Sequence, residues 1–252
     1  QKERSESSAG RLSRQHAASR AQLDLRVRDA ARQVQGDAAI TLRDVSVGQA
    51  AQRRVAELDG IRLPFVSGPL REVDLIVSGQ QRIGVIGPNG CGKSTLLNVL
   101  AGRLPALAGT RKTVAAPVLL DQRLAQLDRQ RCVLEQMQAA NPTATEADLR
   151  TRLAQLGLDA DRITLASGML SGGERLKAAL ACALYADPPP RLLLLDEPGN
   201  HLDLESLQAL ETMLRGYRGA LVIVSHDAVL LDHLGLTHRV LATPEGWRMQ
   251  GW

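Results

Sequence analysis

The stretch Gly87-Pro-Asn-Gly-Cys-Gly-Lys-Ser-Thr95 sets glycines, a lysine and two hydroxyls at the spacing G-x-x-x-x-G-K-[ST]. Glycines at 87, 90 and 92, with Asn89 and Cys91 between them, let the backbone curl so that successive N–H groups face one anion. The apolar run Gln81–Ile86 before the loop reads as a buried strand and Thr95–Ala101 after it as a helix, whose positive end faces the same spot. In that context the loop is a phosphate site. Lys93 would reach β- and γ-phosphates, Ser94 would ligate Mg²⁺, and Thr95 would bond the α-phosphate side. Three more apolar runs end in polar chemistry, at Asp121-Gln122, Asp196-Glu197 and Ser225-His226-Asp227. Asp196 follows four leucines, which suits a carboxylate holding Mg²⁺ through water. Glu197 beside it is placed to orient or deprotonate an attacking water. His226 would donate to a γ-phosphate, and Gln122 would sense metal and water. Singly, an Asp-Glu pair after a strand is commonly a helix cap, and a lone Gln or His in a loop commonly faces solvent. Their order and context carry the weight.

These residues need a sheet whose strands end together, because ligands of open α/β sheets bind at the carboxyl ends of strands. Leu192–Leu195 and Val222–Val224 read as buried strands, and Val114–Leu120 as a strand leading into Gln122. Residues 39–47 alternate at period two, Gly60–Phe65 and Glu72–Val77 read as further strands, and Gly102–Gly109 reads as a turn region. From 123 to 169 helical runs, Val133–Ala139 and Glu146–Leu156, alternate with breakers at Asn141-Pro142 and Gly157. Leu170-Ser-Gly-Gly-Glu174 then opens a helix through Tyr185, and Pro188–Pro190 stop the chain before the next strand. The end reads as a hairpin, Arg239–Ala242 and Trp247–Gln250 around Pro244-Glu-Gly246.

At 252 residues with 44% apolar content, the chain can bury one large α/β core, with or without a subdomain. No apolar run approaches the roughly 20 residues that cross a bilayer. Three cysteines without metal spacing, one of them inside the phosphate loop, suggest a reducing, cytoplasmic setting. The net charge of +4 has an address: residues 1–36 hold eight Lys/Arg against four Asp/Glu, and the remainder is balanced. That tail, with a helical stripe over Ser19–Val34, reads as a solvated linker first and a polyanion-tracking arm second. The chain begins at Gln1 and not at Met, which reads as a piece cut within a linker.

Together, Gly87–Thr95, Asp121-Gln122, Leu170–Glu174, Leu192–Pro198 and Ser225-His-Asp227 resemble the Walker A, Q-loop, signature, Walker B and H-loop of an ABC ATPase cassette. Leu-Ser-Gly-Gly-Glu is the decisive element. Asp196-Glu-Pro-Gly-Asn-His-Leu-Asp203 and Ser171-Gly-Gly-Glu-Arg-x-Lys177 resemble the ABC-F class, with Gly199 where that class has Thr. The resemblance implies a phosphate-loop NTPase core with an antiparallel β subdomain and a helical subdomain over about 123–185. It implies a basic linker at 1–37 followed by a cassette at 38–252. ATP and Mg²⁺ are the implied cofactors, and a second cassette and the ribosome the implied partners. In this family Ser171, Gly172, Gly173 and Glu174 act in trans, on the nucleotide of an opposing cassette. Where the family stacks adenine on an aromatic after the first strand, no aromatic follows Val45–Val47. Phe65, the one phenylalanine, is the substitute, with a core role as its alternative. The competing role is the ATPase subunit of a membrane transporter; a DNA-repair ABC ATPase would carry a long insertion that is missing here.

Overall fold

The structure is a computed structural model that describes residues 53–114, 116–200 and 202–252. The linker at 1–37 and the strand at 39–47 expected from sequence lie outside the described residues. Six strands form the central sheet: β3 (Arg82–Ile86), β5 (Val118–Leu120), β6 (Leu192–Asp196), β7 (Ala220–Val224), β8 (His238–Thr243) and β9 (Gly246–Gly251). Their spatial order is β5-β6-β7-β3-β8-β9, parallel except for the β8–β9 hairpin. A second sheet pairs β1 (Arg54–Arg62) antiparallel with β2 (Glu72–Ser78) on one side and β4 (Ala108–Thr113) on the other.

The leucine run of β6 is apolar without alternation because both faces of a parallel sheet are covered. Leu192 and Leu194 join Ile83, Val85 and Val222 in a core shared with β1, β2 and helix α1 (Lys93–Ala101). Leu193 and Leu195 join Leu221 and Ile223 on the opposite face, against helices α4 (Gly172–Leu184) and α5 (Leu204–Gly216). Each fully buried leucine contributes about 2 kcal/mol of burial free energy, so both faces hold the strand in register. Helices α2 (Val133–Ala140) and α3 (Glu146–Gln155), with two short 3₁₀ turns, complete the helical block, and α6 (Ala228–His233) follows β7.

Three expected spans need correction. The strand expected at Gly60–Phe65 is β1, which ends at Arg62. Pro64 follows, and Phe65 takes a left-handed φ of 61° and stands 91% exposed, so it is no core residue. The turn region expected over Gly102–Gly109 gives way at Ala108 to β4, and the strand expected from Val114 is confined to Val118–Leu120. β4 has no buried face to signal itself: Ala108 to Lys112 are all exposed. Gly109, at φ 88°, lies where any side chain would strike the Gly60 backbone, so this edge requires a glycine.

Candidate functional site

Four neighbouring strands, β5, β6, β7 and β3, end level with one another. Leu120 pairs with Leu195, and Val224 pairs with both Asp196 and Val85. Their outgoing loops therefore share one edge, which is where a cavity of about 320 Å³ opens. Asn89, Gly90, Lys93 and Ser94 line it from the phosphate loop. Gln122, Asp196, Glu197 and His226 line it from the other three loops. Gly87, Cys91, Gly92 and Thr95 build the loop behind this lining. Gly92 sits at φ 104° with Val66 packed where a Cβ would go, and a Cβ on Gly87 would strike Ala242. Either substitution would deform the loop.

Lys93, buried at the start of α1, donates from Nζ to the carbonyls of Gly87 (2.8 Å) and Pro88 (3.0 Å). The lysine thus braces the loop it serves. Asp196 is 7% exposed, and its Oδ1 is buried with no hydrogen-bond partner among the described residues. Burial raises its pKa above the ordinary carboxylate value, and the charge of Asp121 adds to that. The Ser94 hydroxyl and the Lys93 charge pull it down. A buried acceptor beside the Ser94 hydroxyl is a donor set that would fit Mg²⁺.

Glu197 leaves β6 with a left-handed φ of 51°, and its N–H donates to the Val224 carbonyl at 2.9 Å. Its carboxylate accepts from the His226 backbone N–H at 3.3 Å, and the His226 Nε2 stands 3.3 Å from its other oxygen. The expected base and the expected γ-phosphate donor therefore touch. A left-handed non-glycine residue costs about 1–2 kcal/mol, and here it turns a carboxylate into the cavity.

Ser171–Glu174 lie outside this cavity, at the exposed start of α4. Ser171 caps the helix in a reciprocal box: its N–H donates to Glu174 Oε2 at 2.7 Å, and Glu174 N–H to its Oγ at 3.2 Å. That backbone bond, chiefly, holds Glu174 below the ordinary carboxylate range. The two glycines differ. A Cβ on Gly173 would strike Ser206 of α5, whereas a Cβ on Gly172 would meet nothing within 4 Å. Gly173 is glycine for packing within the chain; nothing among the described residues requires Gly172 to be one. Asp203 and Asp227 act as helix caps, accepting from Ser206 N–H and Leu230 N–H.

Phe65 is outside the cavity lining, one residue from the Val66 that rests on Gly92. The sequence reading misses Asn200, which also lines the cavity. Its place three residues after Glu197 is the signal that could have found it. At Gly199 the backbone is not left-handed, but a Cβ would come within 3.3 Å of Leu230, so the small residue suits the packing of α6.

Comparisons with known proteins agree with this fold. The family described as "ABC transporter" matches residues 70–200. "Probable ATP-binding protein YheS" of Haemophilus influenzae is 43% identical over 165 residues, 64% of this chain and 26% of that protein. "ABC transporter F family member 5" of Arabidopsis thaliana is 33% identical over 199 residues, 77% of this chain and 28% of that protein. The chain thus spans about a quarter of the length of these relatives. An ATP-binding cassette of an ABC transporter, solved in its ADP conformation, superposes with a TM-score of 0.60 at 20% identity, covering 80% of this chain and 92% of that one. A chain from an ABC transporter in an inward-facing conformation gives 0.62 at 19% identity, covering 79% and 84%. At those identities the likeness speaks for the fold. The chain belongs to the ABC transporter family, as an ATP-binding cassette whose relatives include F-family proteins.

Proposed function

We propose that the cavity binds ATP with Mg²⁺ and that, closed by the Ser171–Gly173 helix start of a second cassette, it hydrolyses ATP to ADP and phosphate. The observation that carries this reading is the convergence of Lys93, Ser94, Asp196, Glu197 and His226 on one cavity at the edge of four adjacent strands. Lys93 neutralises the β- and γ-phosphates once it leaves the carbonyls it now bonds. Ser94, Asp196 and Gln122 would hold Mg²⁺, which supplies charge neutralisation at the phosphates when bound. Glu197 accepts the proton of the attacking water, and His226 orients Glu197 and donates toward the γ-phosphate. Phe65, exposed beside the loop, offers its ring to the base.

The trans role of the signature residues is supported by their position. They lie off the cavity of their own chain, at a capped helix start whose N–H groups and dipole favour an anion. Gly172 is open to approach on the side where its side chain would stand. No helix among the described residues is long and apolar enough to cross a membrane. F-family relatives and the Asn200–Asp203 loop favour a ribosome-associated translation or antibiotic-resistance factor in the cytoplasm over a transporter subunit. The test is co-sedimentation of the full-length protein with ribosomes in ATP, with and without Glu197→Gln. ATP-dependent association strengthened by the variant supports the reading, and its absence in both proteins contradicts it.

A further inference from the structure

Gln122 makes no side-chain hydrogen bond among the described residues, although it lines the cavity. What holds it there is the residue before it. Asp121 Oδ1 accepts from the backbone N–H groups of Arg123 (3.0 Å) and Ala125 (3.3 Å), and its carbonyl accepts from Leu124 N–H (3.0 Å). The remaining oxygen, Oδ2, takes Arg103 Nη1 at 3.1 Å, while Arg103 Nη2 donates to the Leu119 carbonyl at 2.9 Å. Arg103 comes directly after Gly102, the left-handed cap that closes α1. Its own N–H donates to the Asn98 carbonyl at 2.9 Å, which fixes it to the last turn of that helix. One guanidinium therefore fastens the far end of the phosphate-loop helix to both the last strand residues of β5 and the turn that presents Gln122.

We infer that Arg103 and Asp121 form a latch that positions Gln122 for the cation of the nucleotide, with Arg103 acting through Asp121 and the Leu119 carbonyl. This rests on the reading of the cavity as a Mg²⁺-nucleotide site. The planar fork of arginine is what the arrangement needs, since it bonds a carboxylate and a carbonyl at once, and lysine can hold only one of them firmly.

The test uses the whole chain with three variants: Arg103→Ala, Arg103→Lys and Asp121→Asn. Binding of the fluorescent nucleotide mant-ATP is titrated at varied Mg²⁺ and again in EDTA, and amide exchange over residues 121–127 is followed without nucleotide. Arg103→Ala is expected to raise the Mg²⁺ needed for half-maximal binding by about three- to ten-fold, the range for a half-exposed, charge-assisted pair. It should leave the EDTA affinity unchanged and quicken exchange in 121–127. Arg103→Lys should recover part of both effects. Asp121→Asn, which keeps the turn's acceptor but loses the ion pair, should quicken exchange in 121–127 as Arg103→Ala does. Equal losses with and without Mg²⁺ would show that Arg103 merely supports α1. Faster exchange with an unchanged Mg²⁺ requirement would break the link to Gln122, and unchanged exchange would mean there is no latch; each overturns the inference. If the unmodified chain gained nothing from Mg²⁺, the nucleotide reading itself would fail, with the exchange arm still reporting on the contact.

Discussion

Asp196 holds a charge where burial disfavours one, and the sign of that cost can be read in stability. Between the ordinary carboxylate pKa and the raised one, the folded protein, free of cation, binds a proton that the unfolded chain has lost. Stability from this group therefore falls as pH rises from the ordinary carboxylate value through the raised one. Asp196→Asn should melt higher than the unmodified protein at pH 7 in EDTA, and the gap should close in acid; a lower melting temperature at pH 7 would contradict the assignment. The same substitution should abolish the gain in nucleotide affinity on adding Mg²⁺. Lys93→Ala removes the charge facing the phosphates and should weaken ATP binding about tenfold or more in equilibrium titration. Phe65→Ala, at a residue 91% exposed, should leave the melting temperature unchanged. If the ring meets the base, the variant loses about 1–3 kcal/mol of nucleotide affinity.

Helix starts decide what the signature segment can do. Gly172→Ala adds a methyl into open space at the first turn of α4, so thermal stability should hold or rise slightly. Gly173→Ala drives the same methyl into Ser206 of α5 and should cost about 1–3 kcal/mol, measured by denaturant unfolding. Should both variants unfold alike, the packing distinction between the two glycines is wrong. The capping box is pH-dependent in the opposite sense from Asp196. Glu174 is held below the ordinary carboxylate range, so its support of the helix start is complete above that range and is lost as pH falls through its lowered value. At this scale the sequence is readable wherever an apolar run ends in a polar pair, because a strand buried on both faces has no other way to look. Leu192–Asp196 is the plainest case. Ala108–Thr113 is not readable, since an edge strand with exposed residues leaves no hydrophobic trace. Leu204–Gly216 receives no assignment from sequence, although Asp203 followed by Leu207, Leu210 and Leu214 carries a cap and a helical spacing. Arg103 and Asp121 could not be paired from sequence at all, because their contact depends on how α1 packs beside β5.

Over the whole molecule, one chain supplies a phosphate-side cavity and, away from it, a capped helix start, and on the proposed function each is half of a site. Hydrolysis by the isolated chain should accordingly be weak, with a specific activity that rises with protein concentration as two copies meet head to tail. Activity that is fast and independent of concentration would mean that one chain suffices. The parts that converge, Lys93, Asp196, Glu197 and His226, are identifiable from residue type and order because the parallel topology brings strand ends to one edge. The contact between Glu197 and His226 arises from the left-handed turn after β6, which side-chain type does not announce. The most direct test of the hydrolytic site is to count bound ATP and released phosphate together, in Mg²⁺, for the unmodified chain and for Glu197→Gln. The variant should keep ATP at unchanged affinity while phosphate release falls at least a hundredfold; turnover that survives the substitution would contradict the account.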